Sequence, residues 1–507
     1  MQTAFEVIRQ AATRSPTRTA IVDVASRRNI DYQSLVSAVV DTASGFCGCG
    51  FGNGNRVAVV MPNSMELGIV ALALHRAGAV PAMMNPRLKP AEVVALIKEG
   101  EISGCVLEHT GALSDLIRQE FGTQFPIVSL NGSGSAAVQF QDLSKFNRTL
   151  PDHNPDPEEP GFIFYTSGTT GLPKAVVIPQ RATEPRFLFM STQCGHTHGA
   201  HNRICGLMPM YHAIGFYAVF LMALAFNGTF YLFREFVPAD VLKSIKQNRL
   251  TGLFATPTHL DALTQAIAEA DDVSSLEIVI FAGAMMPDQV LAKVRRTFDA
   301  KLVNIYGTTE GMNALYMPNP SSGSQFIPGY YSEARVIKIG GGVNDLADVG
   351  KEGELILSIK NDAFFTSYYA RPETTREKVK DGWYRTSDAA VMCADGTIEV
   401  KGRVDDTIIS GGENIHPQEV EDVLLAHPAV SDAAVLGIPN ERWGQIVVAC
   451  VVCSTIDSEA LEEYFRSSSL ADFKRPREYY FFEALPRNAT NKIIRRELID
   501  RITKQRR

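Results

Sequence analysis

Three short apolar runs constrain the fold more than any other feature: Leu253-Phe-Ala-Thr-Pro257, Ile278-Val-Ile-Phe-Ala-Gly283 and Leu302-Val-Asn-Ile-Tyr-Gly307. Each reads as a short strand ending in small or hydroxyl residues, which is how strands open into a ligand crevice at the carboxyl edge of an open sheet. Upstream, residues 57–61 form a β-rich run, Pro62-Asn63-Ser64 supplies a cap, residues 65–77 are helical until Gly78, and residues 80–84 are extended again. Such units predict parallel strands with covering helices. The texture changes near Arg403, after which residues 414–425, 433–438, 446–452 and a basic tail make a small α+β piece. The expected fold is therefore α/β: a large multi-layer body built on sheets, residues 1–403, and a small mobile α+β domain, residues 404–507.

The 507 residues are 45% apolar and 21% charged, with a net charge of −7. This is the composition of a globular chain, not a disordered one, and no solenoid period is present. Without a surplus of Lys and Arg, neither nucleic acid nor an anionic membrane is an expected partner. The eight cysteines are too sparse for a disulfide framework and suit a reducing cytoplasm. Cys450-Val-Val-Cys453 has CxxC spacing but lies in a strand-like run, where residues three apart face opposite ways. The start of the chain lacks the apolar core of a secretory signal. Residues 213–233 carry no charge, but Asn227-Gly228 divides them into a helix-like part, 213–226, and a strand-like part, each too short to span a bilayer.

Tyr165-Thr-Ser-Gly-Thr-Thr-Gly-Leu-Pro-Lys174 follows a strand and is the richest chemical segment. The glycines Gly168 and Gly171 let backbone approach an anion, the hydroxyls of Thr166, Ser167, Thr169 and Thr170 add donors, and Lys174 adds charge. The stretch suits a polyphosphate, although its spacing is not that of the Walker loop.

Five further motifs follow in order: Tyr306-Gly-Thr-Thr-Glu310, Gly382-Trp-Tyr-Arg-Thr-Ser-Asp388, Gly402-Arg-Val-Asp-Asp406, Ser410-Gly-Gly-Glu-Asn-Ile-His-Pro417 and Pro486-Arg-Asn-Ala-Thr-Asn-Lys492. Together with the first they resemble the adenylate-forming superfamily of acyl-CoA synthetases, luciferases and peptide-synthetase adenylation domains, over nearly the whole chain. The resemblance implies ATP and Mg²⁺ as cofactors, with Glu310 as the Mg²⁺ carboxylate, Asp388 and Arg403 at the ribose, Thr309 near the α-phosphate and Tyr306 stacked on adenine. It gives Lys492 the task of bridging carboxylate and α-phosphate oxygens during adenylation. It also places a hinge at Asp405, about which the small domain rotates so that Gly411 and the catalytic-site Gly412 line a pantetheine tunnel.

Within the superfamily the chain resembles the 4-chlorobenzoate:CoA ligase group through Pro179-Gln-Arg-Ala182, Phe187-Leu-Phe-Met-Ser-Thr-Gln193, Leu207-Met-Pro-Met-Tyr-His212, Phe254-Ala-Thr-Pro-Thr-His-Leu260 and Glu310-Gly-Met-Asn313. Carried over by position, an aryl slot would comprise Phe189, His212, Ala213, Ile214, Phe254, Ala282, Ile305, Gly307, Met312 and Asn313, flat and dry, with His212 near the carboxylate. The pattern departs at Ala213 and Ile214, where the group has valines, and at Gly311, where alanine is usual. Arg87, Trp443, Phe473 and Arg475 match positions that cover the nucleotide end of coenzyme A. Another acid such as benzoate, O-succinylbenzoate or a medium-chain fatty acid, a carrier-loading adenylation enzyme, and a non-catalytic acyl-AMP sensor are the alternatives. Assembly as a homodimer is also left open. His196-Thr-His-Gly-Ala-His201 matches no metal-site spacing and receives no role.

Overall fold

In the computed structural model, which describes all residues except 1, 53, 133–137, 147, 153, 167–171, 455, 469, 488–492 and 507, the three apolar runs are neighbouring parallel strands. Gly252–Ala255 pairs with Ile278–Phe281, and that strand with Lys301–Thr308. Side chains alternate between two cores: Phe254, Ile278 and Ile280 join the central one, whereas Leu253, Val279 and Phe281 pack beneath helices Pro238–Asn248, Pro257–Ala266 and Asp288–Thr297. This alternation is the period of two expected of a strand buried on both faces.

These strands belong to a fourteen-stranded sheet, and a second, eight-stranded sheet contains Arg56–Val60 between parallel neighbours Val80–Met84 and Gly104–His109. Helix Met65–Arg76 begins, as expected, at Ser64, whose hydroxyl accepts the Leu67 amide, and Gly78 follows its end at φ +82°. Its buried face shares one core with strands of both sheets and with the segment from Ile214 to Ala225. The layers are thus sheet, helices, sheet, with further helices outside.

The uncharged segment is helical and buried, but its first part, Ile214–Leu221, is a π-helix, and only Met222–Ala225 is α-helical. Apolar residues all round gave no phase from which this wider winding could be read. π-turns recur beside functional sites, and this one starts just after His212. No helix among the described residues is long and apolar enough to cross a membrane.

The last strand of the large sheet, Ile398–Arg403, leads through the short turn Val404–Asp406 into a five-stranded sheet built on the hairpin Val430–Asn440 and Gly444–Cys453. Cys450 packs in the core under helix Arg495–Gln505 and Cys453 against the core under Ser458–Ser467, on opposite faces of the sheet. All eight cysteines are free thiols.

Candidate active site

Strands Pro160–Thr166 and Lys174–Pro179 are antiparallel, with Thr166 opposite Lys174, so the glycine- and hydroxyl-rich segment connects the two strands of a hairpin. Ser167, Gly168, Thr169, Thr170 and Gly171 lie outside the described residues, as does Lys492. Lys174 extends its ammonium over the Tyr368 ring, 5.3 Å from the centroid. Tyr368 in turn donates its hydroxyl to Glu310 Oε1 at 2.5 Å and lies 3.5 Å from the Tyr384 hydroxyl.

Glu310 occupies the turn between strands Lys301–Thr308 and Met312–Pro318 and is only 6% exposed. Burial, then the Glu310 charge, pushes the Tyr368 hydroxyl far above its ordinary value, so it remains a donor at all working pH. One carboxylate oxygen is thereby held and Oε2 carries no hydrogen bond from the described residues. A single hard oxygen, linked through Tyr368 to Lys174, fits Mg²⁺, which takes one or two carboxylates and completes its shell with phosphates and water. No cluster of three His, Cys, Asp or Glu exists among the described residues to hold a metal without a ligand's help.

Asp388 and Arg403 are register partners on strands Trp383–Met392 and Ile398–Arg403, joined at 3.3 Å, and Arg403 also donates to the Thr386 carbonyl at 3.1 Å. Tyr306 donates its hydroxyl to Asp388. In sheet order the Tyr306 and Asp388 strands are separated by three others. A flat sheet would hold them about 19 Å apart at about 4.8 Å per step, far beyond a tyrosine's reach, so the sheet curls and brings Asp388 to Tyr306. The expected adenine-stacking residue thus has a second task, steadying Asp388. Thr309 contributes its carbonyl to the buried Arg186, 3.1 Å away.

Phe189, Met312 and Asn313 line one cleft with Gln193, Tyr331 and Ala363. Ala213, Phe254, Ala282 and Ile305 belong to the same core as Phe189 and Met312, with Ile214 packed against it, and Gly307 pairs with Asn313 across the hairpin. The cleft is not uniformly apolar, as the expected slot would be: Gln193 Oε1 and Asn313 Oδ1 are buried without a hydrogen-bond partner among the described residues. The run leading into His212 is held by Asn63, which accepts from the Met210 amide at 2.8 Å and donates to the Met208 and Phe233 carbonyls, and the His212 amide donates to the Pro209 carbonyl at 3.1 Å. The Gly311 departure has a structural counterpart: a Cβ there would stand 2.6 Å from the Phe364 ring, so phenylalanine fills the space an alanine would take.

In the small domain, Gly411 donates its amide to the Trp443 carbonyl. At φ +62° with the Trp443 ring 2.9 Å from any Cβ, position 411 admits only glycine; Gly412 lies at φ +89° with open space around it. Trp443 is flanked by two guanidiniums, Arg477 at 4.4 Å and Arg442 at 5.0 Å from the ring centroid. Phe473 is 44% exposed, and Arg87 is exposed on the large domain. Arg475, expected to meet a phosphate, instead faces Asp472 at 3.3 Å and Glu462 at 3.7 Å. Asp405 lies within the turn Val404–Asp406. The histidine-rich loop is self-contained: His201 meets the Thr197 hydroxyl at 2.9 Å, and burial pushes His196 down to about 4.

A family model described as AMP-binding enzyme matches residues 8–369, and one described as AMP-binding enzyme C-terminal domain matches residues 419–492. The chain belongs to the AMP-binding enzyme family. Among curated relatives, 4-chlorobenzoate–CoA ligase of Pseudomonas sp. (strain CBS-3) is 44% identical, over 99% of this chain and 95% of that one. A protein of the same name from Arthrobacter sp. is 40% identical over 98% and 95%. Among solved structures, o-succinylbenzoate CoA synthetase of Bacillus subtilis with its acyl-adenylate matches with a TM-score of 0.85 at 23% identity, over 98% of both chains. MatB of Rhodopseudomonas palustris, bound to ATP, matches at 0.87 and 24%, over 99% of both. The adenylate-forming resemblance of the motifs is to this family, and the large sheet-built body with a small second domain, expected from the strand pattern, is the fold of these structures.

Sequence reasoning missed Tyr368, Tyr384, Asn63, Arg186 and Arg477. Tyr384 stood inside a quoted motif and Asn63 inside the predicted cap. Arg186 had a readable signal, since it occupies the buried stripe Thr183, Arg186, Phe187 and Met190 of helix Thr183–Thr192.

Proposed function

We propose that this chain is an ATP-dependent ligase that converts 4-chlorobenzoate, or a close 4-substituted benzoate, to its coenzyme A thioester through an aryl-AMP. The observation that carries the reading is the 44% identity to a 4-chlorobenzoate–CoA ligase across essentially the full length of both chains. Phe189 and Met312, which line a cleft of about 10 Å³ with Asn313, offer an aromatic and an apolar wall for an aryl ring, and seating a benzoate there requires the cleft to open.

A carboxylate is a poor acyl donor because its oxygen will not leave. In the first half-reaction a carboxylate oxygen attacks the α-phosphorus of ATP, the bond to the β-phosphate bridge breaks, and pyrophosphate departs. Thr166 and Lys174 would face the phosphates, Asp388 and Arg403 the ribose hydroxyls, and Lys492 the oxygens that gain charge. Glu310 would hold Mg²⁺, which when bound would neutralise phosphate charge. In the second half-reaction the thiolate of coenzyme A attacks the acyl carbon, the C–O bond breaks, and AMP leaves. We assign the two half-reactions to two orientations of residues 404–507 against 1–403, pivoting at Asp405, with Gly411 and Gly412 beside the incoming pantetheine and Trp443, Phe473, Arg475 and Arg87 at its nucleotide end. A reducing cytoplasmic setting is part of this reading, supported by the free cysteines.

The test is a panel of carboxylic acids with ATP, Mg²⁺ and coenzyme A, following AMP release and thioester mass. Para-substituted benzoates are expected to lead. Faster turnover of aliphatic acids than of every benzoate would refute the aryl assignment. One methyl-sized difference separates analogues by only about 10–200-fold, so chloro, bromo and methyl compounds should all react.

A further inference from the structure

Arg186 is fully buried, with no exposed surface, and is among the largest such side chains of the molecule. Among the described residues no carboxylate forms a salt bridge with it. Its Nε donates to the Ala363 carbonyl at 2.8 Å, its Nη2 to the carbonyls of Thr309 and Glu310, both at 3.1 Å, and its Nη1 faces Met312 Sδ at 3.8 Å. The Tyr217 ring lies 5.5 Å from the guanidinium carbon. Burial lowers the guanidinium to about 10, so it stays charged at neutral pH.

A buried cation is costly, and a leucine or methionine would fill this stripe of the helix at less cost. What an apolar residue could not do is hold three carbonyl oxygens that belong to two separate loops. Two of them, from Thr309 and Glu310, belong to the turn that aims the Glu310 carboxylate. The same turn continues into Met312, whose backbone is left-handed at φ +57°, a conformation a non-glycine residue keeps only under constraint. Met312 lines the aryl cleft with Phe189, which stands on the same helix as Arg186. One guanidinium therefore touches the support of the metal carboxylate and a wall of the aryl slot.

We propose that Arg186 is a positioning residue that sets the Thr309–Met312 turn, fixing Glu310 for the metal–nucleotide complex and coupling its geometry to occupation of the aryl slot. The proposal rests on the function argued above. Binding of aryl acid would press Met312 against a turn already clamped by Arg186, so acid and metal–nucleotide should each tighten the other's binding by the same factor.

The test compares the unmodified protein with Arg186→Met and Arg186→Lys. Thermal melts followed by circular dichroism report folding. Mn²⁺ binding in the presence of a non-hydrolysable ATP analogue, read by electron paramagnetic resonance, is measured with and without 4-chlorobenzoate. Acid-dependent ATP–pyrophosphate exchange gives the KM for ATP. In the unmodified protein the acid should tighten Mn²⁺ binding. Arg186→Met, folded at the assay temperature, should bind Mn²⁺ at least about tenfold more weakly and lose that effect. Arg186→Lys retains the charge but cannot span all three carbonyls, so it should fall between. Should Arg186→Met not fold, the lysine variant alone decides: a weakened Mn²⁺ site and a raised KM support the proposal. Folded variants with unchanged Mn²⁺ binding and KM, losing only turnover or melting temperature, would overturn it. Absence of acid-dependent exchange in the unmodified protein would instead remove the function on which it stands.

Discussion

At the scale of single residues, the site is held by pairs that exclude each other's alternatives. Phe364 occupies the volume that a Cβ on residue 311 would need. Gly311→Ala should therefore destabilise by about 1–3 kcal/mol, the usual cost of overpacking a filled core. Combining it with Phe364→Ala should recover part of that loss, because the two changes share one space; chemical denaturation of the single and double variants measures the coupling. Additive losses would show that the ring moves aside freely. The carboxylates are held in the same manner by neutral tyrosines, Tyr368 on Glu310 and Tyr306 on Asp388. Neither tyrosine could be assigned this task from sequence, since the bond across 82 positions depends on how the large sheet curls and the bond across 58 on how the two sheets meet.

At the scale of elements, what was legible is what local chemistry decides. The cap at Ser64, the helix after it and the flanking strands follow from hydroxyl placement and apolar period, and their ends fall within a residue of expectation. The π-helix Ile214–Leu221 was not legible, because a segment apolar on every side carries no phase. Nor was the Arg475 environment, whose carboxylate neighbours come partly from helix Ser458–Ser467. The turn Val404–Asp406 is the element on which the two-orientation reading depends. Proline at 405 locks φ and stiffens the turn. Asp405→Pro should leave aryl-AMP formation within about twofold and slow thioester formation by about tenfold or more, measured by pyrophosphate release and by conversion of supplied aryl-AMP. Unimpaired thioester synthesis would place the pivot elsewhere.

At the scale of the whole molecule, contacts across the junction report on orientation. His416, in the small domain, meets Glu352 of the large sheet at 2.6 Å. The hydrogen bond from His416 holds the Glu352 carboxyl below its ordinary value, against burial and with help from Lys401 and Lys474. A lowered carboxylate contributes stability above its unfolded value of about 4.3 and loses it as pH falls through the folded one. Glu352→Gln should lower the melting temperature by a few °C near pH 7, since His416 is buried and Glu352 only partly exposed, and the gap should close as pH falls below about 4. A gap independent of pH would mean that packing, not charge, is lost. Lys492→Ala should abolish aryl-AMP formation yet still turn supplied aryl-AMP into thioester; equal loss of both steps would contradict a lysine used in one orientation alone.

Arg403, which grips Asp388, is the last residue of its strand, and Asp405 follows after a single intervening residue. With about 3.8 Å between successive Cα atoms, sensor and fulcrum stand at most about 7–8 Å apart on one continuous piece of chain. On the proposed cycle, departure of the nucleotide is felt where the arm turns, with no relay through the packed interior. The timing of the arm's swing is then set by occupancy at one arginine, and a change at that residue should alter when the enzyme reorients as much as how tightly it binds.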